Sequence, residues 1–590
     1  MSATLRRCLR QLSSTELGRV LFALLGIHVG ATHSLSAQEP EAFGGATVSL
    51  PPFYVEPENG EDWTRVTSGG FELLTTNDRT FAREFTLSYF QQTHLISQII
   101  PLRYLWEPHL FDTFIVVDRK NRRLQADDAL GRIIEKTQSN LTSRSARQRY
   151  VPNLRLLSAD SSINFAFLNE GDLGGRGSHS RQFFFDDALA APGASRRTAG
   201  FRFSTNRLKQ QLATRAPALP VWAITGLVDL YDHGEFSQGR IVIDPLKLPP
   251  LVVVEDSATP PSLALPLLVL LTQTIPDDRE SKQIWVKHAH LFVRWCLFAE
   301  DGKFRDALWK FVDDSVVKSP NDERFLATFG LSIAEAQLAI EQFFTTATSK
   351  KISLTASRNQ KRPDVKIEPA SRIEVSRLLA EWERLETEHM RKVYPGLTET
   401  YLQRARKTIA SARQNGSGST ALQSTSGLLE YAAGNTAYAL AELTSAVESG
   451  ETRPLVLQVL ARLIFEEATA NQLDDEAVPI EAVQPAIDLL LRAHRSDSTF
   501  VAIYLDLSEI WDTAAHPLSV NEVAVLAAGI RHFPRDLVLV NRLVRMQAAR
   551  GKWKTARSIL QFAETRAVNA EAVQFIAVLG KQLDELEPSP

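Results

Sequence analysis

Leu219-Pro220-Val221-Trp222-Ala223-Ile224-Thr225-Gly226-Leu227-Val228-Asp229-Leu230-Tyr231 is the stretch on which the reading of this 590-residue chain turns. Trp222, Leu227, Leu230 and Tyr231 recur at helical spacing, so the segment predicts a helix with an apolar face. Pro217 and Pro220 separate it from a preceding helix that carries Leu208 and Leu212. Towards the N-terminus the character changes near residue 203. Phe71–Thr76, Phe114–Val117, Ile163–Leu168 and Phe183–Phe185 read as strands, rich in β-branched and aromatic residues. Between the first two, Asn77 or Asp78 caps a helix carrying Phe81, Phe85, Tyr89, Leu95, Ile96 and Ile99, and Pro101 stops it. Four strands with an interposed helix predict a mixed sheet. Towards the C-terminus, residues 280–345 read as three or four helices. Leu263–Leu271 is very apolar, but Pro260, Pro261 and Pro266 break it, so it predicts a buried segment and no membrane span.

Composition is that of a globular chain: 44 % hydrophobic and 23 % charged residues, with a net charge of −3. A largely disordered, collagen-like or multi-span membrane protein is excluded, and no basic footprint points to nucleic acid. At roughly 100–200 residues per domain the length predicts about three to five domains, or two plus a repeat array. Arg6, Arg7, Arg10 and Arg19 precede the apolar run Val20–Ile27, and small and polar residues lead to Ala37. That order is the pattern of a secretory signal peptide, so an exported chain, periplasmic or secreted, is expected. Beyond it only Cys296 remains, inside Phe292–Leu297, where a buried thiol is expected.

Residues 347–369 carry Lys350, Lys351, Arg358, Lys361, Arg362 and Lys366 with little apolar periodicity, and read as a solvated basic linker. From 370 the chain is helical and repeats. Ala439, Leu443 and Ala446 stand four and three apart, as do Ala486, Leu490 and Ala493, and Ala556, Leu560 and Ala563. Gly434 and Gly551 precede the first and last sets by five residues, where a glycine closes a tight turn between two helices. The small alanines let helices approach closely. The spacing, most fully Gly427…Gly434…Ala439…Leu443…Ala446, resembles the tetratricopeptide repeat, a helical hairpin that stacks into a superhelix.

No two of the twelve histidines are four apart, so no His-Glu-x-x-His helix exists. His288 and His290 lie two apart in an apolar helix and read as core or surface. There is no Cys-x-x-Cys and no phosphate-binding loop. Gly174–Gly177 and Gly416–Ser419 read as loops. The densest acidic cluster, Asp229, Asp232, His233 and Glu235, could hold a metal at a helix end, but reads first as a solvated terminus.

Leu219–Tyr231 is similar to the second metal-site helix of peptidase-MA-like gluzincins, whose pattern is roughly Leu-Pro-x-Trp-x-x-Glu-Gly-Leu-Ala-Glu-Tyr. Trp285–Leu297 and Phe329-Gly330-Leu331 resemble later segments of that family, and residues 71–185 resemble its N-terminal sheet. The resemblance covers about residues 70–345. It implies the fold but not the chemistry. The family's glutamate ligand is Thr225 here. Thr205-Asn206-Arg207-Leu208-Lys209 stands where His-Glu-x-x-His is expected, so Thr205 and Lys209 replace the histidines and Asn206 replaces the general base. No histidine lies between His179 and His233, so a shift of register restores no ligand.

The expected fold class is therefore α+β: a mixed-sheet plus helical gluzincin-like domain, followed by an all-α tetratricopeptide-like solenoid. The expected divisions are a signal peptide (1–37), an extended leader (38–68), an α/β part (69–200), a helical part (201–346), a basic linker (347–369) and a helical-repeat domain (370–590). The expected function is non-catalytic binding of a protein or peptide, with no cofactor, no nucleic acid and no membrane-spanning segment in the mature chain. A metal-dependent hydrolase using Asp229, Asp232, His233 and Glu235 is the alternative, and a structural envelope component is a third reading.

Overall fold

The computed structural model describes residues 63–105, 111–117, 154–160, 163–169, 199–213, 215–237, 240–246, 252–253, 262–273, 275–276, 278–317, 320–355, 363–393, 395–414, 419–470, 477–497, 499–514, 516–566 and 570–587. The signal peptide, most of the leader, Phe183–Phe185, Arg358, Lys361 and Arg362 lie outside them.

A six-stranded mixed sheet opens the structure. Its strands are β1 (Thr64–Ser68), β2 (Phe71–Thr75), β3 (Phe111–Val117), β4 (Leu154–Asp160), β5 (Ile163–Asn169) and, from far along the chain, β11 (Lys366–Pro369), in the order β11-β1-β2-β3-β5-β4. β2, β3 and β5 are parallel; the other pairs are antiparallel. Side chains alternate between two buried faces, as the period of a strand requires. Leu73, Phe114 and Val116 meet Phe81, Phe85 and Tyr89 of helix α1 (Arg79–Ser97). Leu74, Ile115 and Val117 meet Val375, Leu378, Leu379 and Trp382 of helix α10 (Arg372–Val393). Of the two candidate caps, Asp78 is the one that caps α1, its Oδ1 accepting from Phe81 N at 2.7 Å.

Two expectations are corrected here. The leader does not run to residue 68, because Thr64–Ser68 pairs in the sheet. Residues 347–369 are not simply a linker. Ile352–Thr355 (β10) and β11 are strands, and β11 pairs with β1 across some three hundred positions. Nor does a domain gap open at 370, since α10 is the sheet's second cover.

Next come α2 (Leu102–Leu105), α3 (Ala199–Ala213), α4 (Val221–Asp232), β6 (Gly234–Ser237), β7 (Arg240–Ile243), β8 (Val252–Val253), β9 (Ser262–Leu263), α5 (Leu267–Thr272), α6 (Arg279–Phe298), α7 (Arg305–Val317), α8 (Asp322–Phe329) and α9 (Ile333–Ser349). A small sheet, β10-β7-β6, flanks them. The apolar face of α4 packs on α6, whose Trp285, Phe292, Trp295 and Cys296 are buried. Burial pushes the Cys296 thiol up, keeping it protonated. Gly226 is required where α4 crosses α6: a Cβ there would lie 2.5 Å from the Ala289 carbonyl oxygen.

From α10 onward the chain is a stack of helix hairpins. α10 pairs with α11 (Thr398–Gln414), α12 (Thr420–Ala432) with α13 (Thr436–Glu448), α14 (Pro454–Thr469) with α15 (Ile480–Ser496), α16 (Val501–Thr513) with α17 (Val520–His532), and α18 (Leu537–Ala549) with α19 (Trp553–Glu564). α20 (Ala570–Leu586) closes the series. The first helices of successive pairs also touch one another and so form one row, and each second helix touches the first helix of the next pair. All nine alanine and leucine positions read as the repeat are buried, on α13, α15 and α19. Gly434 and Gly551 have φ of +84° and +69°, the left-handed turns for which glycine is the natural choice. The array is tied at both ends, because Arg566 Nε, beyond α19, donates to the Val316 carbonyl of α7 at 3.3 Å.

Candidate functional site

The residues that the gluzincin resemblance would set at zinc positions do not fit a metal. Thr205 and Lys209 lie on α3 and Thr225 on α4, two helices that pack together. Lys209 is exposed, Thr205 and Thr225 are half-buried, and neutral hydroxyls and an ammonium are poor zinc ligands. Asn206 lies on α3 as well. Arg207 of α3 is buried; it donates to Tyr89 OH at 2.7 Å and pairs with Asp112. That cluster joins α3 to α1 and β3.

One turn beyond Thr225 the geometry differs. Asp229 Oδ2 accepts from Lys287 Nζ at 2.9 Å and from His290 Nδ1 at 2.7 Å, and Asp229 Oδ1 accepts from Lys287 at 3.0 Å. His233, at the C-cap of α4, donates Nδ1–H to the Asp229 carbonyl at 2.7 Å. That bond assigns its tautomer: Nε2 keeps a lone pair, which faces Lys287 Nζ at 3.3 Å. The His233 and His290 rings stand edge to face, 5.2 Å apart. Among the described residues, Asp229, His233 and His290 are the group whose ligand atoms gather, all within 4.8 Å of one another.

The electrostatics follow from burial and pairing. Burial alone would raise the Asp229 carboxyl, but hydrogen bonds from His290 and Lys287 overcome it and hold the group at about 2. Burial pushes the His290 imidazole down to about 4, against the pull of Asp229, so at neutral pH a neutral ring donates to a carboxylate. The site is therefore a negative carboxylate and a bare imidazole nitrogen closed around the protein's own ammonium.

Of the acidic cluster read from sequence, Asp229 and His233 belong to this group; Asp232 and Glu235 do not. His290, read as core or surface, is wholly buried and joins this group through its bond to Asp229, whereas His288 is buried and outside the group. Lys287 was missed, and His290 was not read as a site residue. Their signal was a polar pair three apart in the middle of a largely apolar helix, beside His288 and Arg294, but the partner lies some sixty positions away in sequence.

A second polar feature runs along the first helices of the array. Arg462 of α14 pairs with Glu509 of α16 at 3.1 Å, Glu509 with Arg542 of α18 at 3.0 Å, and Gln458 Nε2 donates to Asp506 at 2.6 Å. Burial pushes the Asp506 carboxyl up to about 6. This ladder crosses three helices and stays partly exposed.

No protein-family model matches the chain, and no curated protein sequence matches it. Among the described residues no helix is long and apolar enough to cross a membrane.

Proposed function

We propose that this chain is an exported, non-catalytic, gluzincin-like protein that binds a protein or peptide through its tetratricopeptide-like hairpin array, with the cleft of the peptidase-like part as a second contact. What supports the reading most is the replacement of the family's ligands and base by Thr205, Asn206, Lys209 and Thr225, on α3 and α4. A row of helices carrying a partly exposed charge ladder adds to it, since such a row can hold an extended segment through charge pairs and packing.

The test is panning of a random peptide library against the full chain. Enriched peptides are expected to lose at least tenfold in affinity in an Arg462→Glu/Arg542→Glu variant and to emerge uncleaved. Unchanged affinity in that variant, or cleavage of the peptides, would overturn the reading. Deleting residues 370–590 would be a poor test, because it strips the cover from Leu74, Ile115 and Val117.

A further inference from the structure

Lys287 Nζ sits 2.9 and 3.0 Å from the two Asp229 oxygens and 3.3 Å from His233 Nε2. Two oxygens and one nitrogen aimed at a single point are a cation position, held here by a side chain. We propose that Asp229, His233 and His290 form a site for a divalent transition metal of the zinc class, for which the Lys287 ammonium is the built-in competitor.

Four observations carry this. The ligand atoms lie within 4.8 Å of one another. Ligands of a tetrahedral zinc are about 3.4 Å apart, so a modest contraction closes the set. Two imidazoles and one carboxylate suit zinc and its neighbours rather than magnesium or calcium, which take oxygen. His233 already makes the outer-shell bond of a ligating histidine, its Nδ1–H donated to the Asp229 carbonyl and Nε2 left bare. His290 is wholly buried and faces the group with Nδ1, whose proton goes to Asp229 Oδ2; ligation through that nitrogen moves the proton to Nε2, which has no hydrogen-bond partner among the described residues.

The ligands sit on ordered elements: α4, its C-cap and α6. Lys287 reaches the site on a flexible four-carbon stem that is 18 % exposed, so it can withdraw to solvent while the ligands stay. The site lies one helical turn from Thr225 and uses none of the family's ligand positions. It makes no use of the peptide-binding reading, and zinc uptake is measured apart from peptide binding.

The experiment is Zn2+ titration of the tag-free full chain against a chromophoric chelator. The variants are Lys287→Met, Lys287→Gln as a second replacement that keeps polarity, and each combined with Asp229→Asn. Removing the ammonium is expected to tighten binding of one Zn2+ per chain at least tenfold over wild type. Asp229→Asn is expected to abolish that gain. Co2+ in the lysine variants is expected to show the visible absorption of a low-coordinate site. No tighter uptake in either folded lysine variant, or uptake that survives Asp229→Asn, would overturn the proposal.

Discussion

Gly226 and the carbonyl of Ala289 touch with no room for a side chain: a Cβ on Gly226 would sit 2.5 Å from that oxygen and 2.7 Å from Val293 Cγ2. The oxygen belongs to α6 backbone and cannot turn away. Gly226→Ala is expected to destabilise by about 1–3 kcal/mol, despite alanine's better helix propensity. Gly427→Ala, whose new Cβ meets the Leu443 side chain at 2.6 Å, is expected to cost less because that side chain can turn. Urea midpoints of the two variants check the order.

The contact of α10 with the sheet makes the array part of the sheet's core. Trp382 packs with Leu74, Ile115 and Val117. Trp382→Ala is expected to cost about 3–5 kcal/mol. The loss should move the far-ultraviolet circular dichroism transition and a probe placed on β3 together. A β3 probe that unfolds at its old midpoint would contradict the shared core.

Arg207 is the residue of α3 whose loss should be felt most. Replacing it with Met takes the guanidinium away from the buried Asp112 carboxylate, a change expected to cost about 3–5 kcal/mol. Adding Asp112→Leu should recover much of that loss. Additive losses in thermal denaturation of the double variant would show that the pair is not coupled.

Glu383, on α10, is fully buried, with Arg404 Nε 3.3 Å away. Burial pushes its carboxyl up to about 7, with Arg404 and Thr408 opposing and Glu386 adding to the rise. An unfolded glutamate titrates near about 4.3. Between those values the folded chain keeps a proton that the unfolded chain has released. This group's contribution therefore falls as pH rises through the window and levels off above it. Asp506, raised to about 6, acts in the same direction. Glu383→Gln is expected to be more stable than wild type above about pH 7 and to flatten the slope below it. Urea midpoints across that range check the sign.

Much of the architecture was legible because its signals are local. Helix α4 spans Val221–Asp232, and Trp222, Leu227, Leu230 and Tyr231 are all buried. Ala439, Leu443 and Ala446 bury on α13 as their spacing predicts. What stayed hidden was set by partners far away in sequence. β11 is four residues with alternating charges, and only pairing with β1 makes it a strand. The charged stretch Glu381–Glu388 of α10 gives no hint that its other face covers a sheet. Asp229 and His233 were visible as a cluster, but Lys287 and His290 join them only because Gly226 lets α6 come close.

The most direct measurement is of proteolysis. The tag-free full chain is incubated with an unfolded protein substrate and Zn2+, and new peptide termini are counted by mass spectrometry. The expected result is no termini beyond those of substrate alone. Termini that appear with the chain, vanish with a chelator and are lost in Asp229→Asn would contradict it and make the chain a peptidase.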